Sequence, residues 1–466
     1  MNVMRKKSIS SMMEMKDKGN TLKKELGAFD LTMLGIGCVV GTGIFVMTGV
    51  AAAQHAGPAL ILSFVIAGLV CAFCALCYAE LASMVPVSGS AYTYSYATFG
   101  EIIAWILGWD LILEYGFAAS MVASGWSGYF QGLMSGFGIH LPHAFTSAFD
   151  TSKGTYIDLP AILIALLLTF VVSRGAKEST RLNTIMVVLK IAVIVLFLVV
   201  GVFYVKPSNW SPFMPFGFGG VMTGAATAFI AYIGFDVVAT AAEEVRNPQR
   251  DLPRGIIASL IVCALLYVLV TAVLTGIVPY QLLDVKNPVA FAIQFIHQDW
   301  IAGFISLGAI VGITTVLFVL LYGQTRLLYA MGRDGLLPKR LSQLNPKTKA
   351  PTISTWATGI IVAFFAGVLP LDRLSDLVSI GTLFAFISVA IGIIILRKAR
   401  PDLQRSFRVP WVPVIPLLAI IFCGYLLFSL PLVTWEAFLI WMVIGLIVYF
   451  TFSIRNSGLS KSGQDE

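Results

Sequence analysis

Short polar connections divide the chain into twelve long apolar segments, and this pattern constrains the fold more than any other feature. A transmembrane helix needs about 20 predominantly apolar residues. Hydrophobic residues make up 58% of the 466 residues and charged residues only 12%, whereas soluble domains carry about 25% charged residues. The apolar runs are continuous and do not alternate, which excludes an outer-membrane barrel. The sequence therefore predicts an all-α polytopic membrane protein.

Glycine, proline and charged residues mark the ends of the apolar segments, which we number as spans 1 to 12. We expect a single membrane domain over 29–454, between a basic N-terminal tail, 1–28, and a short C-terminal tail, 455–466. The predicted limits of the spans are 29–54, 58–84, 102–134, 157–173, 182–205, 219–242, 255–278, 300–330, 352–369, 374–396, 413–430 and 435–454.

The placement of Lys and Arg predicts the orientation of the spans. With the N-terminus in the cytoplasm, inner segments hold 25 of the 31 basic residues, and outer loops hold only Lys153, Lys206, Lys286 and Arg373. We therefore expect both termini to lie in the cytoplasm. The basic residues are dispersed between apolar spans, so the net charge of +7 does not indicate a nucleic-acid partner.

Spans 1 and 6 have interiors that are poorly suited to a continuous helix. Span 1 carries four glycines in the nine positions from Gly35 to Gly43, and each glycine costs about 1 kcal/mol relative to alanine. Span 6 runs through small residues to Gly234 and Asp236. Close packing of helices through Gly37-x-x-x-Gly41 is the alternative explanation from periodicity alone.

The two unusual spans are five apart, which is the offset of two inverted five-span repeats that each open with a broken helix. On this interpretation the repeats cover 29–205 and 219–396, and spans 11 and 12 are two additional helices in 413–454.

A break in span 1 would have a chemical use. Backbone N–H groups freed around Gly41-Thr42-Gly43 would favour an anion such as a carboxylate. Carbonyls freed near Val39, and in span 6 at Ile230, Ala231 and Ile233, could accept hydrogen bonds from an ammonium group. Together these groups would bind the α-carboxylate and α-amine of an amino acid without any charged side chain.

Ionisable residues inside the spans form a second group of candidates, because such residues are costly in a membrane and are usually functional. They are Lys190 in span 5, Asp110 and Glu114 one helical turn apart in span 3, and Asp236 at the end of the broken stretch of span 6. The alternatives are that Lys190 snorkels to the inner surface and that Asp110 makes structural hydrogen bonds.

The sequence carries no enzyme signature. All four histidines fall in predicted outer loops, and there is no phosphate-binding Gly-x-x-x-x-Gly-Lys-Ser/Thr loop. Cys71, Cys74 and Cys77 share a helix face and are expected to pack rather than to bind a metal. We therefore expect no catalytic site, no metal and no cofactor.

Several motifs along the chain are typical of one transporter family. They are Gly41-Thr42-Gly43-Ile44-Phe45, Tyr78-Ala79-Glu80, Pro86-x-Ser88-Gly89-Ser90-Ala91-Tyr92, Ala231-Tyr232-Ile233-Gly234-Phe235-Asp236, Ala242-Glu243-Glu244-x-x-Asn247-Pro248-Gln249-Arg250-Asp251-x-Pro253, the run from Arg326 to Pro338, and Phe407-Arg408-Val409-Pro410. With these motifs the chain resembles the amino acid–polyamine–organocation superfamily of secondary transporters. Within it, the sequence is most similar to bacterial members of the cationic amino acid transporter family.

The resemblance implies a twelve-helix permease whose substrate site lies between broken spans 1 and 6. The positions that match the substrate site are Val39, Thr42 and Gly43 in span 1, and Ile230, Ala231 and Ile233 in span 6. Lys190 matches a span-5 lysine that replaces sodium in proton-coupled relatives, and Glu114 and Asp236 match acidic positions that assist it. In span 8 this chain has Leu320 where the animal cationic transporters have a small residue.

These features together predict a proton-coupled permease of the cell membrane that imports small or medium neutral L-amino acids. A cationic substrate and an exchange mechanism are alternatives, and a non-transporting amino acid sensor is a third. The expected partners are the amino acid and the lipid bilayer, with the proton as coupling ion. A small single-span auxiliary subunit is compatible with the sequence, which leaves the oligomeric state open.

Overall fold

The computed structural model describes the chain in eight stretches. In the predicted tails, residues 1–25 and 459–466 lie outside these stretches. Residues 85–89, after span 2, also lie outside them, and so do residues 241–244, with the motif residues Glu243 and Glu244. The described residues are 26–84, 90–152, 154–174, 180–240, 245–346, 350–399, 401 and 405–458.

The described residues are almost entirely helical and contain isolated bridges but no β-strand. Spans 1 and 6 are each interrupted: Ala28–Val39 is followed by a second helical stretch from Gly43 to Ala56, and Gly217–Ile230 by Val237–Thr240. The remaining spans are Leu60–Met84, Glu101–Gly136, Leu159–Ser173, Thr180–Gly201, Pro248–Ile277, Asp299–Arg333, Thr352–Val368, Leu371–Ala399, Val414–Phe428 and Leu432–Val448, the last continued to Asn456 by a π-helical turn.

Seven of these helical stretches are long and apolar enough to cross a membrane, and five shorter apolar helices accompany them. Two of the shorter helices, Ala28–Val39 and Gly217–Ile230, are the first halves of broken spans. The prediction of an all-α polytopic fold is confirmed. Among the residues that the structure describes, two α-helices lie outside the spans: Ser90–Thr98, between spans 2 and 3, and the outer helix, Pro288–Phe295, before span 8.

Several helices pack against the helix five positions further along the chain. Span 3 packs against span 8, span 4 against span 9, and span 2 against span 7. Span 7 also packs against the first half of span 1, and span 2 packs against the first half of span 6. This pairing is what two inverted five-span repeats would produce, and it brings the broken spans together in the middle of the bundle.

A buried ion pair ties spans 2 and 10 together on the side of the bundle that holds Arg333, which we call the inner side. Glu80 is fully buried and accepts two hydrogen bonds from the Arg397 guanidinium, at 3.0 and 2.6 Å. The backbone N–H of Val409 donates to the same carboxylate at 2.7 Å, and Arg405 Nε lies 3.4 Å from it. The buried carboxylate is thus matched by charge and by hydrogen bonds, as burial of a charge requires.

Candidate functional site

The helix of span 1 ends at Val39 and starts again at Gly43. Between them, Val40 has an extended backbone with φ −76° and ψ 94°, so regular helical hydrogen bonding stops. The last carbonyls of the first half and the first N–H groups of the second half lose their intrahelical partners there. Gly35 and Gly37 lie within the regular first half. A Cβ at Gly35 would come 2.4 Å from Ser259 Oγ, so this glycine serves close packing against span 7.

The helix of span 6 ends at Ile230, and residues 231–236 form an irregular turn before Val237. Gly234 has φ +118°, a backbone conformation that side chains other than glycine's rarely adopt. A Cβ at this position would also lie 3.1 Å from Cys38 Cβ. The irregular turn of span 6 therefore lies directly against the end of the first half of span 1.

Gly43 brings the second half of span 1 against the same turn. A Cβ at Gly43 would lie 2.4 Å from Ala231 Cα and 2.5 Å from Ala231 Cβ, which backbone cannot accommodate without moving. The two breaks are therefore in direct contact, and glycine at 43 is required by that contact. Ala231 packs behind Gly43, while the carbonyl of Ile230 accepts a turn hydrogen bond from the N–H of Ile233 at 3.2 Å.

Tyr267 of span 7 joins the two breaks. Its hydroxyl lies 2.7 Å from the carbonyl oxygen of Val39 and 2.7 Å from that of Ala231. These are carbonyls that the sequence predicts to be freed by unwinding, and Tyr267 was not among the predicted site residues. The signal for it is a tyrosine in the middle of an apolar span, because a buried tyrosine hydroxyl usually has a hydrogen-bond partner.

A cavity of about 40 Å³ lies between the two breaks. Of the predicted substrate-binding residues, all except Ala231 line it. The rest of the wall is mostly apolar and comes from further residues of spans 1 and 6 and from spans 3, 8 and 10. Asp236 of span 6 is its acidic member and Tyr115 of span 3 its phenolic member. The lining residues are Cys38, Val39, Gly41, Thr42, Gly43, Tyr115, Ala118, Met121, Val122, Ile230, Ile233, Gly234, Asp236, Val316, Val319, Leu320 and Val378.

Lys190 is fully buried next to the first half of span 1. Its Nζ donates a hydrogen bond to the carbonyl oxygen of Gly37 at 2.7 Å. Its aliphatic stem lies against span 8, where a Cβ at Gly312 would come 3.0 Å from Lys190 Cγ. The ammonium group therefore lies inside the bundle. It does not extend to the inner surface, where the ammonium of a snorkelling lysine would lie. Lys190 does not line the cavity.

The acidic candidates are Asp110, Glu114 and Asp236. They lie where span 3 faces the break in span 6, and not beside Lys190. Asp236 is buried in the cavity wall, and its Oδ2 accepts a hydrogen bond from Tyr115 at 3.1 Å. Glu114 is buried behind the wall, and it packs with Asp110 against span 10, where a Cβ at Gly381 would lie 3.1 Å from Asp110 Oδ1. Within the described part of the chain, the carboxyl group of Asp110 accepts no hydrogen bond, and Glu114 lies beside the Thr382 hydroxyl.

The predicted cysteine cluster gains a member that the spacing does not reveal. Cys74 Sγ of span 2 lies 3.4 Å from Cys423 Sγ of span 11, and both thiols are buried. In the described stretches, no group of three or more His, Cys, Asp or Glu side chains is arranged to hold a metal ion.

Two broken helices that face each other across a cavity, inside a bundle of apolar spans, define a polytopic secondary transporter. Comparison with known proteins gives the family: a model described as amino acid permease matches residues 26–452. The chain belongs to this family, so the resemblance seen in the sequence is confirmed, and the protein is a transporter rather than an enzyme.

Curated relatives extend over the whole chain. It is 54% identical to the methylthioribose transporter of Bacillus subtilis, over 99% of this chain and 100% of that protein. It is also 54% identical to the branched-chain amino acid permease of the same organism, over 99% of each. A human protein, cationic amino acid transporter 4, is 40% identical over 81% of this chain and 60% of its own length.

Proposed function

We propose that this permease imports neutral L-amino acids with apolar side chains of small or medium size, together with protons. We further propose that it works in the cell membrane with both termini in the cytoplasm, because Lys and Arg are concentrated in the inner segments. The observation that carries the proposal is a cavity between two helix breaks whose wall is mostly apolar, with Thr42, Tyr115 and Asp236 as its polar side chains.

The backbone groups at the breaks match the two charged ends of an amino acid. The second half of span 1 begins at Gly43, so its first N–H groups and its helix dipole favour a carboxylate there. The carbonyl of Val39, a residue that lines the cavity, can accept from an α-ammonium group, since a carbonyl has two lone pairs and Tyr267 engages only one of them. Asp236 adds a negative group on the same side.

The span-8 side of the cavity favours an apolar substrate side chain. Val316, Val319 and Leu320 line it, and Met121 of span 3 faces the same space. Leu320 is almost fully buried and occupies room that a long cationic side chain would need. The relative named as a branched-chain amino acid permease supports this choice. The equally similar methylthioribose transporter makes a neutral thioether sugar the second candidate.

The proposed coupling depends on the hydrogen bond between Lys190 and Gly37. A protonated Lys190 donates to the span-1 backbone two residues before the break and so holds the end of the first half in place. Loss of the proton removes charge from this bond and weakens it. Asp236 and Glu114 are buried acidic residues near the break in span 6, and their role in the proposal is to assist the arrival or release of the proton.

The test is uptake into proteoliposomes with and without an imposed proton gradient. The substrate panel contains leucine, valine, alanine, arginine and methylthioribose, each labelled. One proton crossing 100 mV supplies about 2.3 kcal/mol, enough to concentrate a neutral substrate about 50-fold, since 1.4 kcal/mol is a factor of about ten. We expect accumulation of the apolar amino acids to need an inward proton gradient, and arginine to compete poorly.

Variants of Lys190 test the coupling separately from the substrate. Lys190→Ala should lose gradient-driven accumulation, and Lys190→Arg should lose it too, because a guanidinium does not release its proton. Lys206→Ala, at an exposed lysine of an outer loop, is the matched control and should accumulate substrate like the wild type. Concentration of substrate by Lys190→Ala under a proton gradient alone would show that this lysine is structural. Uptake of methylthioribose but of no amino acid would replace the proposed substrate.

A further inference from the structure

A buried carboxylate on the outer side of the bundle is not part of the cavity lining. Asp158 immediately precedes span 4 and is only 1% exposed. Its Oδ1 accepts hydrogen bonds from Ser127 Oγ at 2.5 Å and from the backbone N–H of Ala161 at 3.2 Å. Gln131 Nε2 donates in turn to Ser127 Oγ at 2.7 Å. Span 3 and the start of span 4 therefore enclose a carboxyl group that has no part in the proposed substrate site.

Lys286 reaches this carboxylate from a different part of the protein. It lies two residues before the outer helix, and its Nζ is 4.0 Å from Asp158 Oδ2. The same ammonium donates to the carbonyl of Thr146 and to Ser147 Oγ, both at 3.3 Å. Its stem lies flat against span 3, where a Cβ at Gly128 would come 2.7 Å from Lys286 Cβ. Lys286 thus links the outer helix to span 3 and to the loop between spans 3 and 4, which carries Thr146 and Ser147.

The outer helix covers the second half of span 1. A Cβ at Gly49 of span 1 would lie 2.4 Å from the carbonyl oxygen of Leu283 and 2.6 Å from Pro288 Cβ. Val289, one residue into this helix, is 2% exposed. Access to the breaks from the outer side therefore requires the outer helix to move. Lys286 connects this helix to span 3 and to the loop that carries Thr146 and Ser147.

Burial raises the pKa of Asp158 from 3.8 to about 6, while the Ser127 hydrogen bond, the Lys286 charge and the Ala161 N–H each offset part of that rise. On span 3, the neutral side chains of Ser127 and Gln131 face Asp158. At the end of span 9, the carbonyl of Gly367 accepts a hydrogen bond from the backbone N–H of Asp158. Lys286 is the charged group that faces it from the segment before the outer helix. Other ionisable side chains near the ends of these elements include His140, His143, Asp150, Tyr156, Asp284, Asp372 and Arg373, and Lys153 lies outside the described residues.

We propose that Asp158, Ser127 and Lys286 form an outer latch, which closes the outer side of the transporter when Asp158 takes up a proton from outside. The inference rests on the proposed transport function but adds a proton site that is separate from Lys190. In the closed arrangement Asp158 is buried, whereas withdrawal of Lys286 and the outer helix admits water to it. Water restores the ordinary acidity of a carboxyl group, so the closed state holds the proton more tightly and acid favours closure.

The size of the effect follows from linkage between the proton and the conformation. With a pKa of about 6 in the closed state and 3.8 in the open state, lowering the pH from 7 to 5 shifts the equilibrium about ninefold toward closure. An acidic exterior would thus drive the closure of the outer side that a proton-coupled importer needs before it releases substrate inside.

The test measures access to Val289 without substrate or proton gradient. Val289→Cys is labelled from outside with a membrane-impermeant maleimide between pH 5 and 7, and wild type, with six buried cysteines, gives the background. Ser208→Cys, at an exposed position of the outer surface, corrects for the pH dependence of thiol chemistry. We expect the corrected rate to fall up to about ninefold from pH 7 to pH 5.

Two further variants in this background decide the mechanism. Asp158→Asn imitates the protonated acid and should give the low rate at every pH. Lys286→Met removes the charge that favours the carboxylate, so the midpoint should move to higher pH, while Lys286→Arg should keep it. A high or still pH-dependent rate in Asp158→Asn, or an unmoved midpoint in Lys286→Met, would overturn the latch. Because labelling needs no substrate, its failure is distinguishable from a failure of proton-driven uptake in the wild type.

Discussion

Removal of the Tyr267 hydroxyl is the sharpest test of how the two breaks are held together. The hydroxyl has one proton for two carbonyls, at Val39 and Ala231, which both lie 2.7 Å away. Tyr267→Phe therefore deletes one donated hydrogen bond and leaves a buried carbonyl without this donor. An unsatisfied buried group costs about 1–3 kcal/mol, which corresponds to about 5- to 140-fold in an equilibrium constant.

We expect Tyr267→Phe to lose about 1–3 kcal/mol of stability, and so to melt at a lower temperature than the wild type. We also expect it to bind the best-transported amino acid more weakly, because the two breaks are no longer joined by this hydroxyl. Scintillation proximity binding and thermal unfolding in detergent measure the two effects. Tyr425→Phe is the matched control: this tyrosine lies on span 11 with half of its surface exposed, so its hydroxyl supports neither break. Wild-type affinity together with wild-type melting in Tyr267→Phe would refute the bridging role.

The remaining predictions concern backbone contact, selectivity and the inner ion pair. Gly43→Ala should abolish binding because its Cβ would meet the Ala231 backbone at 2.4 Å, whereas Gly303→Ala, which faces open space, should bind normally; equal titrations of the two would contradict this. Leu320→Gly should let arginine inhibit leucine uptake, and an unchanged inhibition profile would place Leu320 away from the substrate side chain. Glu80→Gln should destabilise the protein by about 3 kcal/mol, because it leaves Arg397 without its carboxylate; an unchanged melting temperature would show that solvent compensates.

The positions of the spans were predictable because the bilayer imposes them on the sequence. Span 2 was expected at 58–84 and is Leu60–Met84, and span 9 was expected at 352–369 and is Thr352–Val368. Differences occur where polar residues extend a helix beyond its apolar part, as in span 8, which continues from the expected residue 330 to Arg333. Every backbone group in lipid must be hydrogen-bonded within the protein, so an apolar run of this length has few alternatives to a helix.

The breaks were only partly predictable, since glycine supports two different structures. Clustered glycines in span 1 indicated a weak helix, and the structure has a break at 40–42. Gly35, in the same cluster, lies in regular helix, and its lack of a side chain leaves room for Ser259 of span 7. Composition cannot separate these uses, since one depends on the backbone of the glycine itself and the other on a neighbouring helix.

Contacts between distant spans could not be read from the sequence at all. Tyr267 lies 228 residues from Val39, and Arg397 lies 317 residues from Glu80. Local periodicity assigns each residue to a face of its own helix, but it does not say which helix lies opposite. The same limit applies to Lys286, predicted in an outer loop, and to Asp158, at the start of predicted span 4, because nothing in the sequence relates the two residues.

Donors from other spans take the place of the helical hydrogen bonds that unwinding removes. Lys190 donates to Gly37 and Tyr267 is shared between Val39 and Ala231, so spans 5 and 7 each hold the backbone of span 1 near its break. These donors differ in chemical type, because Lys190 donates from an amine and Tyr267 from a phenolic hydroxyl group. In the proposed coupling, Tyr267 is the permanent joint and Lys190 is the joint that protonation makes and breaks. An ammonium group of the substrate would be a third donor to the same backbone, which is how proton binding and substrate binding could act on one structural element.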